Sequence, residues 1–388
     1  MAKTVTLPHM GHGLHPDGAA AFCKKNAMLL IAATLALLTM ILIPPDRAYA
    51  GYFDWKTLSC LFSTLAVVCA LKSIRFFTYL ARKIVKLAGN TRMAIIALMG
   101  ITFIGSMFMA NDMALLTFLP LGYDVLSTTK QEKHIPFTFI MQNISANLGG
   151  MLTPFGNPQN LFLYEKFHIT NGEFVSIMVI PFAVAVLLIF VCCMTVKKEE
   201  LVIAQQTFAP LPKGRTALYL VLFACAILMV MRVLPWWCAL IGITAVLLIA
   251  APRALTRVDF GLLGTFFAFF IFAGNLARVE PVRELFSRLL GMNPLWVSAI
   301  SCQFISNVPS AILLSQFTEA YPALLMGVNI GGTGTLIASL ASLITFREYA
   351  SHYPNKTGAY VKLFSMFNFG FLAVLLMVCT LCLPLFMA

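Results

Sequence analysis

Long apolar runs dominate this chain and are interrupted by polar residues at a few recurring places. Runs near residues 27–43, 57–71, 93–110, 113–128, 136–147, 175–195, 216–231, 235–251, 259–274, 294–306, 310–318, 322–345 and 361–386 predict helices. Several are shorter than the roughly 20 residues that cross a bilayer. The short ones cluster around two stretches rich in Asn, Gly and Thr. That pattern predicts an all-α integral membrane protein with half-helices and re-entrant hairpins beside its full crossings.

The two polar stretches are copies of one motif pair. The first copy has Asn111 in Phe-Met-Ala-Asn-Asp-Met-Ala and then Asn147-Leu-Gly149-Gly150-Met-Leu-Thr153. The second has Ser306-Asn307 in Phe-Ile-Ser-Asn-Val-Pro-Ser310 and then Asn329-Ile-Gly331-Gly332-Thr333-Gly-Thr335. Asn111 and Asn307 are 196 residues apart and Asn147 and Asn329 are 182 apart, so the first half carries 14 more residues between its motifs. The polar loop at residues 127–134 is the expected place for that excess.

The halves divide at a polar linker, 197–215. Before it lie a tail, 1–26, and a first unit, 27–196, with a hairpin near 105–128 and a broken helix near 136–164. After it comes a second unit, 216–388, with a hairpin near 294–318 and a broken helix near 322–346. Basic and apolar residues alternate along 73–90 and 275–291, which reads as amphipathic helices at the membrane surface upstream of each motif.

Composition narrows the class further. Hydrophobic residues make up 60% of the 388 and charged residues 11%, against about 25% charged in an ordinary soluble domain. The net charge of +12 sits in loops and at span ends, so it reads as the cytoplasmic excess of Lys and Arg and not as a nucleic-acid surface. Lys24 and Lys25 before the first span, and the basic residues of 72–92 after the second, place the N-terminus in the cytoplasm. Ala48-Tyr49-Ala50 imitates a leader cleavage site, but the run before it is long for a leader and reads as a retained first span. The ten cysteines have no metal spacing and read as small buried hydrophobes. His9, His12 and His15 read as part of a disordered tail.

Four kinds of group carry candidate chemistry. Asn111 and Asn307 each offer one carbonyl acceptor and two amide donors, suited to a cation and an anion at one site, or to helix–helix adhesion. Asp112 is the one acid in residues 93–122. An acid at the bilayer centre costs about 2.5–3.5 kcal/mol, which a cation, a proton or cavity water must offset, unless it caps a half-helix starting at Met113. The Gly pairs permit sharp turns and close ligand approach, and Thr153, Thr333, Thr335 and Ser310 supply hydroxyls. The run Thr153-Pro-Phe-Gly-Asn157-Pro-Gln-Asn160 cannot form a lipid-facing helix. Hard cations want several oxygens, and half-helix N-termini favour anions. There is no P-loop, zinc signature or Ser/His/Asp grouping, so neither ATP-driven transport nor an enzyme is expected.

These motifs resemble the ion transporter superfamily of divalent anion:sodium symporters, citrate transporters, arsenite permeases and one class of sodium/proton antiporters. The most specific are Ala110-Asn111-Asp112, the run from Asn147 to Leu161 with its Gly-Asn-Pro-Gln-Asn, and Ser306-Asn307-Val308-Pro309-Ser310. The chain looks most like a branch of anion permeases with that same run. The resemblance implies two inverted repeats, a scaffold with a transport domain moving as an elevator, a homodimer, and sodium sites at Asn111, Asp112, Gly149, Asn307 and Gly331. Dicarboxylate symporters carry Thr after each tip Ser-Asn; here Asp112 and Val308 stand there, closer to the arsenite-permease and antiporter branches. The expectation is a secondary transporter of a small anion or oxyacid, with Na+ or H+ as coupling ion and no other cofactor. A sodium/proton antiporter using Asp112 is the alternative, and a membrane-embedded enzyme or scaffold a distant one.

Overall fold

The computed structural model describes residues 26–201 and 210–386; the three tail histidines lie outside them. The described residues form helices and no strand, with one isolated bridge between Asn90 and Glu200. In chain order the α-helices are α1 (Ala27–Leu42), α2 (Trp55–Ser73), α3 (Phe76–Val85), α4 (Thr91–Phe108), α5 (Asn111–Thr128), α6 (Ile135–Gly149), α7 (Pro158–Lys166) and α8 (Asn171–Met194). Then follow α9 (Lys213–Val230), α10 (Trp236–Ala250), α11 (Pro252–Leu255), α12 (Phe260–Leu276), α13 (Glu280–Met292), α14 (Pro294–Ile305), α15 (Asn307–Leu314), α16 (Tyr321–Ile330), α17 (Leu340–His352) and α18 (Thr357–Cys382).

Among them, α2, α4, α8, α9 and the segment Pro354–Phe386 are long and apolar enough to cross a membrane. A multi-pass membrane protein follows. α1 packs along α12, and α2 against α9 and α10. The would-be cleavage site is built into this frame: the buried Tyr49 hydroxyl donates to Ile43 O at 2.5 Å and accepts from Asn275 Nδ2 at 2.8 Å. α12 and α13 meet at 98°. Beside that bend Arg278 donates to both Asp46 oxygens, at 3.1 and 2.6 Å, and holds the Asp46 carboxyl below the usual carboxylate range.

Both halves run through the same order of elements: an amphipathic helix (α3, α13), two hairpin arms (α4 and α5, α14 and α15), a helix that stops (α6, α16), an irregular stretch, a short helix (α7, α17) and a long apolar helix (α8, α18). The extra residues of the first half are not in the loop at 127–134. They lie in the helices: α5 has 18 residues where α15 has 8, and α6 has 15 where α16 has 10. The apolar run at 322–345, expected as a broken helix near 322–346, is two helices with nine irregular residues, 331–339, between them. The linker is partly a strap, since Glu199 O accepts from Thr91 N at 2.9 Å and Gly89 O from Leu201 N at 3.4 Å.

What holds the irregular stretches is a set of side-chain clamps, because a membrane interior supplies no water to freed backbone groups. In the second half Gln303 does this. Its Nε2 donates to Gly331 O at 2.9 Å and Thr333 O at 3.1 Å, and its Oε1 accepts from Thr335 N at 2.8 Å. Gly334 sits at φ +115°, where a side chain is strained, and a Cβ there would run into Gln303 Oε1. In the first half Asn160 Nδ2 donates to Gly150 O at 3.1 Å and Thr153 O at 3.3 Å. Gly334→Ala is therefore expected to destabilise the protein by about 1–3 kcal/mol. Thermal unfolding of detergent-purified protein checks this, and an unchanged melting temperature would contradict the clamp.

Candidate functional site

The two helix breaks have the same local chemistry. α4 ends at Phe108, Met109 and Ala110 are extended, and α5 restarts at Asn111. α14 ends at Ile305, Ser306 takes φ +73°, and α15 restarts at Asn307, whose N–H donates to Ala338 O at 3.0 Å. Each tip Asn then caps its own new helix. Asn111 Oδ1 accepts from Asp112 N at 3.0 Å, and Asn307 Oδ1 accepts from Val308 N at 2.9 Å. Only a carbonyl oxygen accepts from an N–H, so both amide nitrogens face away from the helix start. Asp112 is not the cap of a helix beginning at Met113, as one reading of the sequence had it; it occupies the first turn of a helix that its neighbour caps.

These tips meet at one cavity of about 390 Å³. It is lined by Asn111 and Asp112 at the start of α5, Pro158 and Gln159 at the start of α7, Asn307 and Val308 at the start of α15, and Ser339 and Leu340 at the start of α17. Four helix N-termini, two from each half, thus open on the same space. The opposite wall is apolar and comes from α1 and α12, with Leu35, Phe269 and Phe272. The charged lining side chains are Asp112, Asp259 and Arg347. Asp259 and Arg347 are exposed, and with Asn26 they mark the mouth. Asp112 is 8% exposed, and no ion pair among the described residues involves it.

Behind the tips lies a buried layer of amides that joins the halves. Asn147 Oδ1 accepts from Asn111 Nδ2 at 2.9 Å and from the Ser339 hydroxyl at 2.8 Å. Asn329 Nδ2 donates to Asn160 Oδ1 at 2.6 Å, and Asn157 Nδ2 reaches Asn329 Oδ1 at 3.5 Å. A Cβ on Gly332 would lie 3.1 Å from Asn307 Nδ2, and one on Gly150 would lie 2.5 Å from Asn157 Oδ1. The carbonyl oxygens of Asn157 and Gln159 are buried without a partner among the described residues. The layer continues along α6 to Asn143, which touches Ser342 and Asn368 at 3.3 and 3.4 Å.

Of the residues predicted from the sequence, Asn111, Asp112, Ser306 and Asn307 line the cavity, and Asn147, Gly150, Asn157, Asn160, Asn329 and Gly332 form the layer behind it. The others turn elsewhere. Gly149 and Gly331 press against the first hairpin arms, at Phe103 and Ser106 of α4 and at Ala299 and Cys302 of α14. The Thr153 and Thr335 hydroxyls each donate at 3.0 Å to a carbonyl four residues before a tip, Met107 O and Gln303 O. Ser310 pairs with Ser301 across the hairpin at 3.0 Å, and Thr333 donates to Ile330 O at 2.6 Å. The sequence reading passed over Gln159, Ser339, Asn143 and Gln303. An amide four residues before a tip Asn was the available signal for Gln303; Ser339 has none, because a Ser that caps a helix looks like any other.

Comparison with known proteins gives the family. The sequence profile of the citrate transporter family matches residues 21–322. An uncharacterized transporter of Methanocaldococcus jannaschii is 32% identical over 82% of this chain and 88% of its own length. The inner membrane protein YbiR of Escherichia coli is 30% identical over 82% of this chain and 86% of its own. The silicon efflux transporter LSI3 of rice is 29% identical over 36% of this chain and 28% of its own. The family and two of these three relatives are named for transport, and none for an enzymatic reaction. The chain belongs to the citrate transporter family of the ion transporter superfamily.

Proposed function

We propose that this secondary transporter moves a small anion or oxyacid, coupled to sodium or protons. In this reading its two halves are inverted repeats, and the unit bearing the site moves as an elevator against a frame of α1, α2, α9, α10 and α12 in a homodimer. Its place is the cell membrane, as the name of the Escherichia coli relative suggests.

The observation that carries the reading is the convergence of four helix N-termini on one cavity. Each such end behaves as roughly half a positive charge, and the amide N–H group of Asn307 adds a neutral donor. That field favours a carboxylate or oxyanion without any lysine in the site. The Asp112 carboxylate opposes it, so bound sodium or a proton at Asp112 raises the affinity of the cavity for an anion, which is coupling in its simplest form. The unpartnered oxygens of Asn157 and Gln159 supply further donors toward a cation. The Asn111 and Asn307 oxygens each accept one backbone N–H, and a carbonyl oxygen has a second lone pair, so in this reading they join these oxygens and Asp112 around the cation. The same unpaired Asp112 favours a second reading, sodium/proton exchange with no anion.

Purified protein in proteoliposomes separates the two. Symport predicts uptake of a carboxylate or an oxyacid (the family's citrate and the rice relative's silicon set the first two trials) only with an imposed sodium or proton gradient. Exchange predicts sodium-driven proton movement without either. Asp112→Asn is expected to abolish cation dependence in both. No flux under any of these conditions would contradict both readings.

The geometry also ranks the variants. Asn111→Ala and Asn307→Ala are each expected to lower flux tenfold or more, about 1.4 kcal/mol. Ser310→Ala, whose hydroxyl faces the other hairpin arm, should change it less than about threefold, near 0.6 kcal/mol. Initial rates at matched protein density check the order, and equal losses at all three positions would contradict it.

A further inference from the structure

Outside the site, one cluster of charged side chains is largely buried. Glu165 ends α7 and is 3% exposed. Its Oε2 lies 2.7 Å from Lys56 Nζ and 3.3 Å from Arg232 Nε. Arg232 also donates to Tyr164 O at 2.5 Å and Ile169 O at 3.1 Å, and its guanidinium lies 4.1 Å from the Tyr164 ring centre. Three separate parts of the chain meet here. Glu165 and Tyr164 belong to α7, the short helix whose first turn lines the cavity. Lys56 starts α2, and Arg232 follows the end of α9; neither helix contributes a cavity residue.

Position along α2 gives the cluster its meaning. α2 has 19 residues and so spans about 28 Å at 1.5 Å per residue. Lys56 is at its first turn. At its last turns Cys69 lies 3.3 Å from Arg257 O, two residues before the mouth residue Asp259. The cavity mouth and the ion cluster are therefore at opposite faces of the molecule. The protein is open at the Asp259 face, and at the Lys56 face the helix that carries the site is tied to helices that do not.

We propose that Lys56, Glu165 and Arg232 form a latch that keeps the face opposite the cavity mouth closed. The inference rests on the elevator reading above, in which the site opens to each face in turn. Opening that face requires α7 to leave α2 and the end of α9, which separates the Glu165 carboxylate from both cations at once. A carboxylate so deeply buried is stabilised by its pairs, and parting them before water reaches it is costly. The carboxylate is held through one oxygen only, since Oε1 has no partner, so the latch opens without disrupting a bidentate pair. Its removal shifts the balance of states toward the other face and leaves the site residues untouched.

The test is side-specific thiol labelling. Val308→Cys, on the cavity wall, is placed in a chain whose native cysteines are replaced. A membrane-impermeant maleimide is then applied to right-side-out and inside-out vesicles. With the latch intact, labelling is expected from the Asp259 face. Glu165→Gln, and separately the half-exposed Lys56→Met, should raise the ratio of labelling from the Lys56 face by tenfold or more. A ratio unchanged in both variants would overturn the latch, with monodisperse elution confirming that both fold. Wild-type flux decides the transport reading by itself. Flux with an unchanged ratio removes the latch alone, and absent flux with one-sided labelling in every variant removes the reading beneath it.

Discussion

Every other feature of this molecule depends on how it treats backbone groups that a broken helix sets free away from water. A continuous helix satisfies its own N–H and C=O groups, but one that stops inside an apolar layer leaves about four of each without partners. This chain breaks helices in four places and groups the consequences by kind. Carbonyls and N–H groups of the irregular stretches are taken up by Gln303 and Asn160, and carbonyls in the last turns of α4 and α14 by Thr153 and Thr335. The N-terminal ends of the restarted helices are turned inward to a common cavity. The breaks thus produce structure on one side and a field for a ligand on the other.

Symmetry between the halves extends to individual contacts. Each tip Asn caps the helix it begins, and each motif Thr donates to the carbonyl four residues before a tip. One Gly of each pair presses on the first hairpin arm while the next faces the amide layer. Asp112 against Val308 is the chief departure, and it puts the one acid of the tips in a single half. The cavity thus has two similar walls and one acid between them.

Much of the fold was legible in the sequence because membrane helices announce themselves by apolar length, and because Asn, Gly and Pro in such runs have few places to go. The tip residues Asn111, Asp112, Ser306 and Asn307, and the breaks at the two Gly pairs, were read from that conflict alone. Direction was not legible. A Thr in an irregular stretch faces a ligand or its own hairpin with equal ease, and Thr153 and Thr335 face the hairpin because a freed carbonyl lies within reach. Gly149 and Gly150 are neighbours with opposite roles, set by which helix passes behind them. Helix length hid as well: the 14-residue excess went into α5 and α6, since an apolar arm lengthens without any polar mark. Lys56, Glu165 and Arg232 read as ordinary span-end charges, because only the folded chain brings them together.

The central claim is that a ligand sits where the four N-termini meet. Its most direct test is thermal stabilisation of the purified protein across a panel of carboxylates and oxyanions, in wild type and in the cavity-filling variant Val308→Trp. A ligand that binds the folded state raises the melting temperature by mass action. The account predicts a saturable rise in wild type that is lost in Val308→Trp. A rise of equal size in the variant would place the ligand outside this cavity and contradict the account.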